Sequence, residues 1–224
     1  MAFRVMAGQR HQLVFLLAVV LCAVSLLTRC ALALRADVTG SLAGFAGAFA
    51  VGTLFDVVTA CFLLAPLTLW LACLPDRLAR WRLHRLLMAG GIALVVFSVL
   101  LTAVSEWIFW DEFSSRFNFI AVDYLMYSQE VLGNIWQSYP VGRILIVLAL
   151  LSLAIAWRLS RTVRSSLAQP LGWRGRLLAF LAALAVPMLL FYGVSSTSKN
   201  LFGSDALNEL AGNGYYEFAA AARN

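Results

Sequence analysis

Apolar residues in this chain neither alternate nor recur only at every third or fourth position; they run together in five long blocks separated by short polar stretches. The blocks cover about 13–34, 44–74, 86–109, 141–157 and 177–194. A hydrocarbon core of about 30 Å takes about 20 helical residues to cross, and lipid offers no partner for a free backbone group. Each block therefore predicts a transmembrane α-helix, whereas a barrel would show short alternating segments. The second block is longer than a bilayer requires, which predicts a tilted helix or one that projects beyond the membrane.

Between the third and fourth blocks the pattern changes. The stretch "WDEFSSRFNFIAVDYLMYSQEVLGN" at 110–134 is the longest polar one in the chain. Set on a helix over about 117–139, Asp123, Tyr127, Glu130, Asn134 and Gln137 share one face at steps of four, three, four and three. Ala121, Leu125, Leu132, Ile135 and Trp136 fall opposite. This is the pattern of an amphipathic helix lying in the membrane interface, with Pro140 opening the next span, where its missing N–H costs nothing. The expected fold class is all-α: a polytopic integral membrane protein of about five transmembrane helices plus one interfacial helix.

Composition agrees. Of 224 residues, 62% are hydrophobic and 12% charged, against about 25% charged in soluble domains, and the mean hydropathy is +0.85. The 17 Lys+Arg exceed the 11 Asp+Glu. The basic residues lie beside apolar blocks, where membrane topology and anionic headgroups explain them; nucleic acid is set aside as a partner. Cys22, Cys30, Cys61 and Cys73 lack metal-site or disulfide-framework spacing and are expected to be small buried apolar residues.

The arginines set the orientation. "PDRLARWRLHR" at 75–85 and "WRLSRTVRSSLAQPLGWRGR" at 157–176 hold nine arginines between them, and basic loops resist translocation. Both are expected in the cytoplasm, with the N-terminus inside, 110–134 and 195–224 outside, and the chain in a bacterial inner membrane. Arg29 and Arg35 run against this rule, offset by nearby Asp37 and by the reach of a long side chain. Arg4 and Arg10, the apolar run 13–27 and "ALA" at 31–33 also imitate a secretory signal; its removal would leave four spans with the same sidedness.

Candidate chemistry is sparse. Glu106, Asp111, Glu112, Arg116, Asn118 and Asp123 either form an outer groove for a polar lipid headgroup or are solvated groups that pair and cap. Asp111 and Glu112 are adjacent, so on a helix they point about 100° apart and make a poor acid–base couple. No histidine accompanies them; His11 and His84 lie at the arginine-rich side. Asp56, in "GTLFDVVTACFLLAP", is an ionisable group within a span, a functional position by default. It is expected to pair with a neighbouring helix or with Arg29, and Gly44, Gly47 and Gly52 give its helix a face for close packing. Beyond the last block, "DALNELAGNGYYEFAAAARN" reads as an amphipathic helix broken at Gly212 and Gly214.

Three stretches carry a family likeness. "IFWDEFSSRFNFIAVDYLMYSQEVLGNIWQSYPV", the Gly52 to Asp56 segment and "NELAGNGYYEFAAAARN" together resemble the membrane region of lipoteichoic-acid-synthase-like proteins, phosphoglycerol transferases of the sulfatase and alkaline-phosphatase superfamily. The resemblance implies a polytopic anchor followed by an outer α/β domain. In that domain a metal-activated threonine, with manganese as the divalent metal, passes a phosphoglycerol group from a phospholipid to a glycan or lipid acceptor. None of those catalytic or metal-binding positions has a counterpart in this sequence, so no catalytic residue, metal ligand or cofactor is assigned, and 195–224 is expected to be a linker toward that domain. The implied role is a membrane-anchoring module that guides phospholipid, inactive alone, with membrane lipids, anionic ones included, and a separate catalytic domain as partners. The alternative is a stand-alone membrane scaffold or small transporter subunit, although the spans show neither an internal repeat nor paired broken helices.

Overall fold

A computed structural model describes residues 9–36, 41–126 and 128–223, the side chains of 9, 125–132 and 223 excepted. Among the described residues every regular element is helical: α1 (Gln9–Ala33), α2 (Leu42–Cys73), α3 (Asp76–Ala79), α4 (Arg82–Phe113), α5 (Phe119–Met126), α6 (Ser128–Ser138), α7 (Val141–Ala168), α8 (Trp173–Gly193), a 3₁₀ turn (Ser196–Lys199), α9 (Asp205–Ala211) and α10 (Gly214–Arg223). Five of them, α1, α2, α4, α7 and α8, are long and apolar enough to cross a membrane. The fold is all-α and polytopic.

Local chemistry sets several boundaries. The Ser41 hydroxyl accepts the Gly44 N–H at 3.1 Å and caps α2. Leu74, held extended before Pro75, ends that helix. Ser114 ends α4 in the left-handed region at φ 49, turning the chain back toward the bundle. Other ends lie beyond the apolar blocks. α4 spans Arg82–Phe113 rather than 86–109, and α7 continues past Trp157 to Ala168, so Arg158, Arg161 and Arg164 stand on a helix and not in a loop. Arginine is a good helix former, and no breaker intervenes before Pro170.

In the bundle α1 lies in the middle, touching α2, α4 and α7; α4 and α7 pack along each other, and α8 rests on α2. Leu13, Leu17 and Leu21 of α1 meet Ala60 and Leu64 of α2, Ile92 and Val96 of α4, and Val163 and Leu167 of α7. Outward, Leu150, Met188 and Leu189 are exposed, the arrangement expected when the surrounding medium is as apolar as leucine. The cysteines correct the sequence expectation for the same reason. None is fully buried: Cys22 and Cys61 are half-buried, Cys30 and Cys73 exposed, since a small apolar thiol in contact with lipid need not enter the core.

The interfacial stretch forms α5 and α6, with Tyr127 outside the described residues. Asp123, Asn134 and Gln137 are exposed and Ala121 is buried, as the helical pattern requires, whereas Trp136 on the other face is exposed. Leu125, Glu130 and Leu132 fall among the side chains not described.

Candidate functional site: a buried ionic socket

α2 has 32 residues, about 48 Å at 1.5 Å per residue, so part of it exceeds a hydrocarbon core of about 30 Å. Its N-terminal half carries the glycine face, and the C-terminal segment of the chain lies on it. A Cβ at Gly47 would stand 2.8 Å from the Phe202 ring, and one at Gly44 3.3 Å from Leu207. Leu207 and Ala211 of α9 bury against Ala48. The chain then turns at Gly212–Asn213 and enters α10 with its carbonyls directed into the bundle.

Two fully buried arginines receive them. Arg29 of α1 grips Asp56 through Nη1 and Nη2 at 2.7 and 2.9 Å, a bidentate pair. Its remaining donors go to the tail, Nε to the Leu210 carbonyl at 2.8 Å and Nη2 to the Gly212 carbonyl at 3.2 Å. Asn213 completes the site by donating to Asp56 Oδ1 at 2.8 Å. Arg116, just past α4, donates from Nη1 to the same Gly212 carbonyl and from its backbone N–H to Glu209 at 2.9 Å. Its Nε stands 3.4 Å from Glu106 Oε1. Lys199 lies 2.9 Å from Glu209 and 3.6 Å from Glu217. The Tyr216 hydroxyl reaches the Val194 carbonyl at 2.7 Å, and its ring meets Phe55 edge-on.

The socket thus joins α1, α2 and the α4 end to the tail through three cations and four carboxylates. Glycine is required at position 52, where a Cβ would overlap the Arg29 guanidinium, and a Cβ at Gly214 would displace the Glu106 carboxyl. A desolvated ion pair contributes little net stability, yet removing one partner is costly. Such a network fixes geometry more than it adds free energy.

The residues singled out by sequence separate into distinct roles. Asp56 meets Arg29, one of its two expected partners. Glu106 and Arg116 converge in the socket. Asp111 instead pairs with Arg35 at 2.7 Å, while the Arg35 guanidinium stacks over Trp107. Arg29 and Arg35, which run against the charge rule, are therefore both compensated; Asp37 lies outside the described residues. Asn118 caps α5 by accepting the Ile120 N–H at 2.9 Å, and Glu112 and Asp123 are exposed. These six groups thus divide among the socket, the Arg35 pair, a helix cap and the exposed surface. The contributions of Lys199, Glu209, Asn213 and Glu217 escaped sequence reasoning, although the "AGNG" break marked where the chain turns inward. The tail, read as a linker, is packed against the bundle at both α9 and α10.

At the opposite end Arg10 and Arg176 share Asp76 at 2.6 and 2.7 Å and both donate to the Leu74 carbonyl, closing the C-terminus of α2.

Glu217, outside the spans, gives the socket a pH dependence. Burial pushes its carboxyl above the ordinary glutamate value of 4.5, with Lys199 pulling it back and Glu209 adding to the rise. A raised folded-state pKa means proton uptake on docking. Its stabilising contribution is complete below the ordinary glutamate pKa and is lost as pH rises through the folded value. The melting temperature of the detergent-solubilised chain is expected to fall over that window, and Glu217→Gln to flatten the fall. An unchanged slope in the variant would remove Glu217 as its source.

Chemically the socket is a clamp. Its carboxylates are committed to cations, and among the described residues no three His, Cys, Asp or Glu side chains converge to hold a metal ion. Comparison with protein-family models, with curated proteins and with solved structures gives no match.

Proposed function

We propose that this chain is the membrane-anchoring module of a lipoteichoic-acid-synthase-like phosphoglycerol transferase, holding a fixed outer platform and guiding phospholipid toward it, with the chemistry supplied by a separate catalytic domain. The observation that supports this reading is the seating of the tail: residues 205–217 are held by Arg29 and Arg116 from within the bundle. A segment so held keeps a fixed position on the bundle, as an anchor for an outer domain requires. Against a proton or ion relay, Asp56 is committed to Arg29 and Asn213. The resemblance of the 108–141 stretch supplies the family, and the arginine clusters supply the orientation: inner membrane of a bacterium, N-terminus cytoplasmic, socket outside.

Two measurements test it. Membranes containing this chain and no relatives are expected to transfer no labelled glycerol phosphate from phosphatidylglycerol, with or without manganese; robust transfer would overturn the anchor reading. In intact spheroplasts, cysteines placed at Ser114 and Ser196 are expected to react with an impermeant thiol reagent and one at Ser165 not to react. Labelling at Ser165 alone would reverse the orientation.

A further inference from the structure

Only some of the described arginines are paired with a carboxylate. Arg10, Arg29, Arg35, Arg116 and Arg176 each pair with a carboxylate. Arg82, Arg85, Arg158, Arg161 and Arg164, on the facing ends of α4 and α7, pair with none among the described residues. Five unneutralised guanidinium groups in one place repel one another, an arrangement that invites an anion.

The space between them is shaped to receive one. A half-open hollow of about 560 Å³ lies between α4 and α7, with Arg82, Arg85 and Arg164 around an apolar floor that includes Leu86 and Val163. A second of about 460 Å³ adjoins it, sharing Trp157, Ser160 and Arg164 and adding Arg158 and Arg161. Both volumes fall in the range of small-molecule sites, about 300–1,000 Å³. Arg164 stands between two basic hollows, each large enough for a phosphate.

The helix surface below indicates what the phosphates are attached to. Arg164, Ser160, Trp157, Leu153, Leu150 and Ile146 follow at steps of four, three, four, three and four, one continuous stripe along α7. It runs from charge, through a hydroxyl and a 77% exposed indole, to three exposed aliphatic side chains. That order matches a phospholipid read from headgroup to acyl chain, with tryptophan at the interface. A soluble anion would use only the top of it.

We propose that the hollow between α4 and α7, together with the one adjoining it along α7, binds the headgroup of an anionic phospholipid carrying two phosphates, with an acyl chain lying along Leu153, Leu150 and Ile146. Arg82 and Arg85 contact one phosphate, Arg158 and Arg161 the other, and Arg164 bridges them. Basic pockets between transmembrane helices suit such headgroups, and guanidinium groups bind phosphate bidentately. This site is at the end of the bundle opposite the socket and stands whether or not the anchor reading does.

The test is native mass spectrometry of the full chain in detergent, offered equal amounts of cardiolipin (two phosphates), phosphatidylglycerol (one) and phosphatidylcholine (zwitterionic). Cardiolipin is expected to be retained over phosphatidylglycerol, and Arg82→Gln/Arg164→Gln to lower that retention on the order of tenfold. Arg77→Gln/Arg174→Gln removes the same charge at the same end outside the hollows and is expected to leave retention unchanged. Arg82 and Arg164 are exposed and unpaired, so their loss leaves the bundle intact, which circular dichroism verifies; Arg82→Lys/Arg164→Lys is expected to retain part of the binding. Equal losses in the two glutamine pairs, or equal retention of cardiolipin and phosphatidylglycerol, would overturn the proposal. Inorganic pyrophosphate that displaces cardiolipin at equal concentration would overturn the lipid as occupant.

Discussion

Replacing Arg29 with alanine is expected to release the tail while leaving the five spans helical. The Asp56 carboxylate, its side chain 1% exposed, would keep only the Asn213 amide, and the carbonyls of Leu210 and Gly212 would lose donors in a site closed to water. An unpaired charge left in this way costs about 3–5 kcal/mol, more than a segment of this size can absorb without detaching. Hydrogen exchange should report the loss as faster exchange of amides at 207–217, with the centres of α2 and α4 still protected. Asp56→Ala is expected to act in the same direction, since it strands the arginine. The pair Arg29→Met/Asp56→Leu removes both charges at similar volume and should recover much of the protection, because two apolar groups replace a costly desolvated pair. Unchanged exchange in Arg29→Ala would show that the apolar contacts of Phe202 and Leu207 hold the tail by themselves.

A single methyl group at Gly52 is the second large effect expected. Its Cβ would overlap the Arg29 guanidinium at Nε, Cζ and Nη2. The guanidinium cannot step aside, since four of its hydrogen bonds fix it. Overpacking of this kind typically costs about 1–3 kcal/mol, and here it would also break the ion pair, so Gly52→Ala should approach Arg29→Ala in size. Gly91→Ala is the matched control: its Cβ meets nothing within 4 Å, and on an open helical surface the exchange is expected to be neutral or stabilising by about 0.4–1 kcal/mol. A thermal melt of the two variants separates them. Equal melting temperatures would refute the close approach at Gly52.

The parts of this molecule that were legible in its sequence are those the membrane forces into the open. A span must be apolar over its length, so five of them can be counted; a charge within a span must find a partner, so Asp56 pointed toward Arg29. The ends of α4 and α7 were not legible because polarity ends an apolar block without ending a helix, and arginine continues one readily. The polar groups toward the end of α4 read equally as a headgroup groove or as solvated and pairing groups, because sequence alone does not show that Glu106 and Asp111 lie on different sides of α4, one facing the socket and the other Arg35. The tail was the hardest part. Its main anchors on the bundle are the carbonyls of Leu210 and Gly212, and a backbone oxygen leaves no mark in the identity of the residue that bears it.

The central placement of α1 also bears on how the protein is made. The partners of Arg29 leave the ribosome at very different times: Asp56 follows it after 27 residues, whereas the carbonyls of Leu210 and Gly212 follow after 181 and 183. The α1–α2 pair can therefore neutralise its buried charges before any later element is made. It leaves two guanidinium donors waiting until translation has passed α8. Closure of the socket thus comes later than the α1–α2 ion pair, since the carbonyls that complete it follow α8 in the chain.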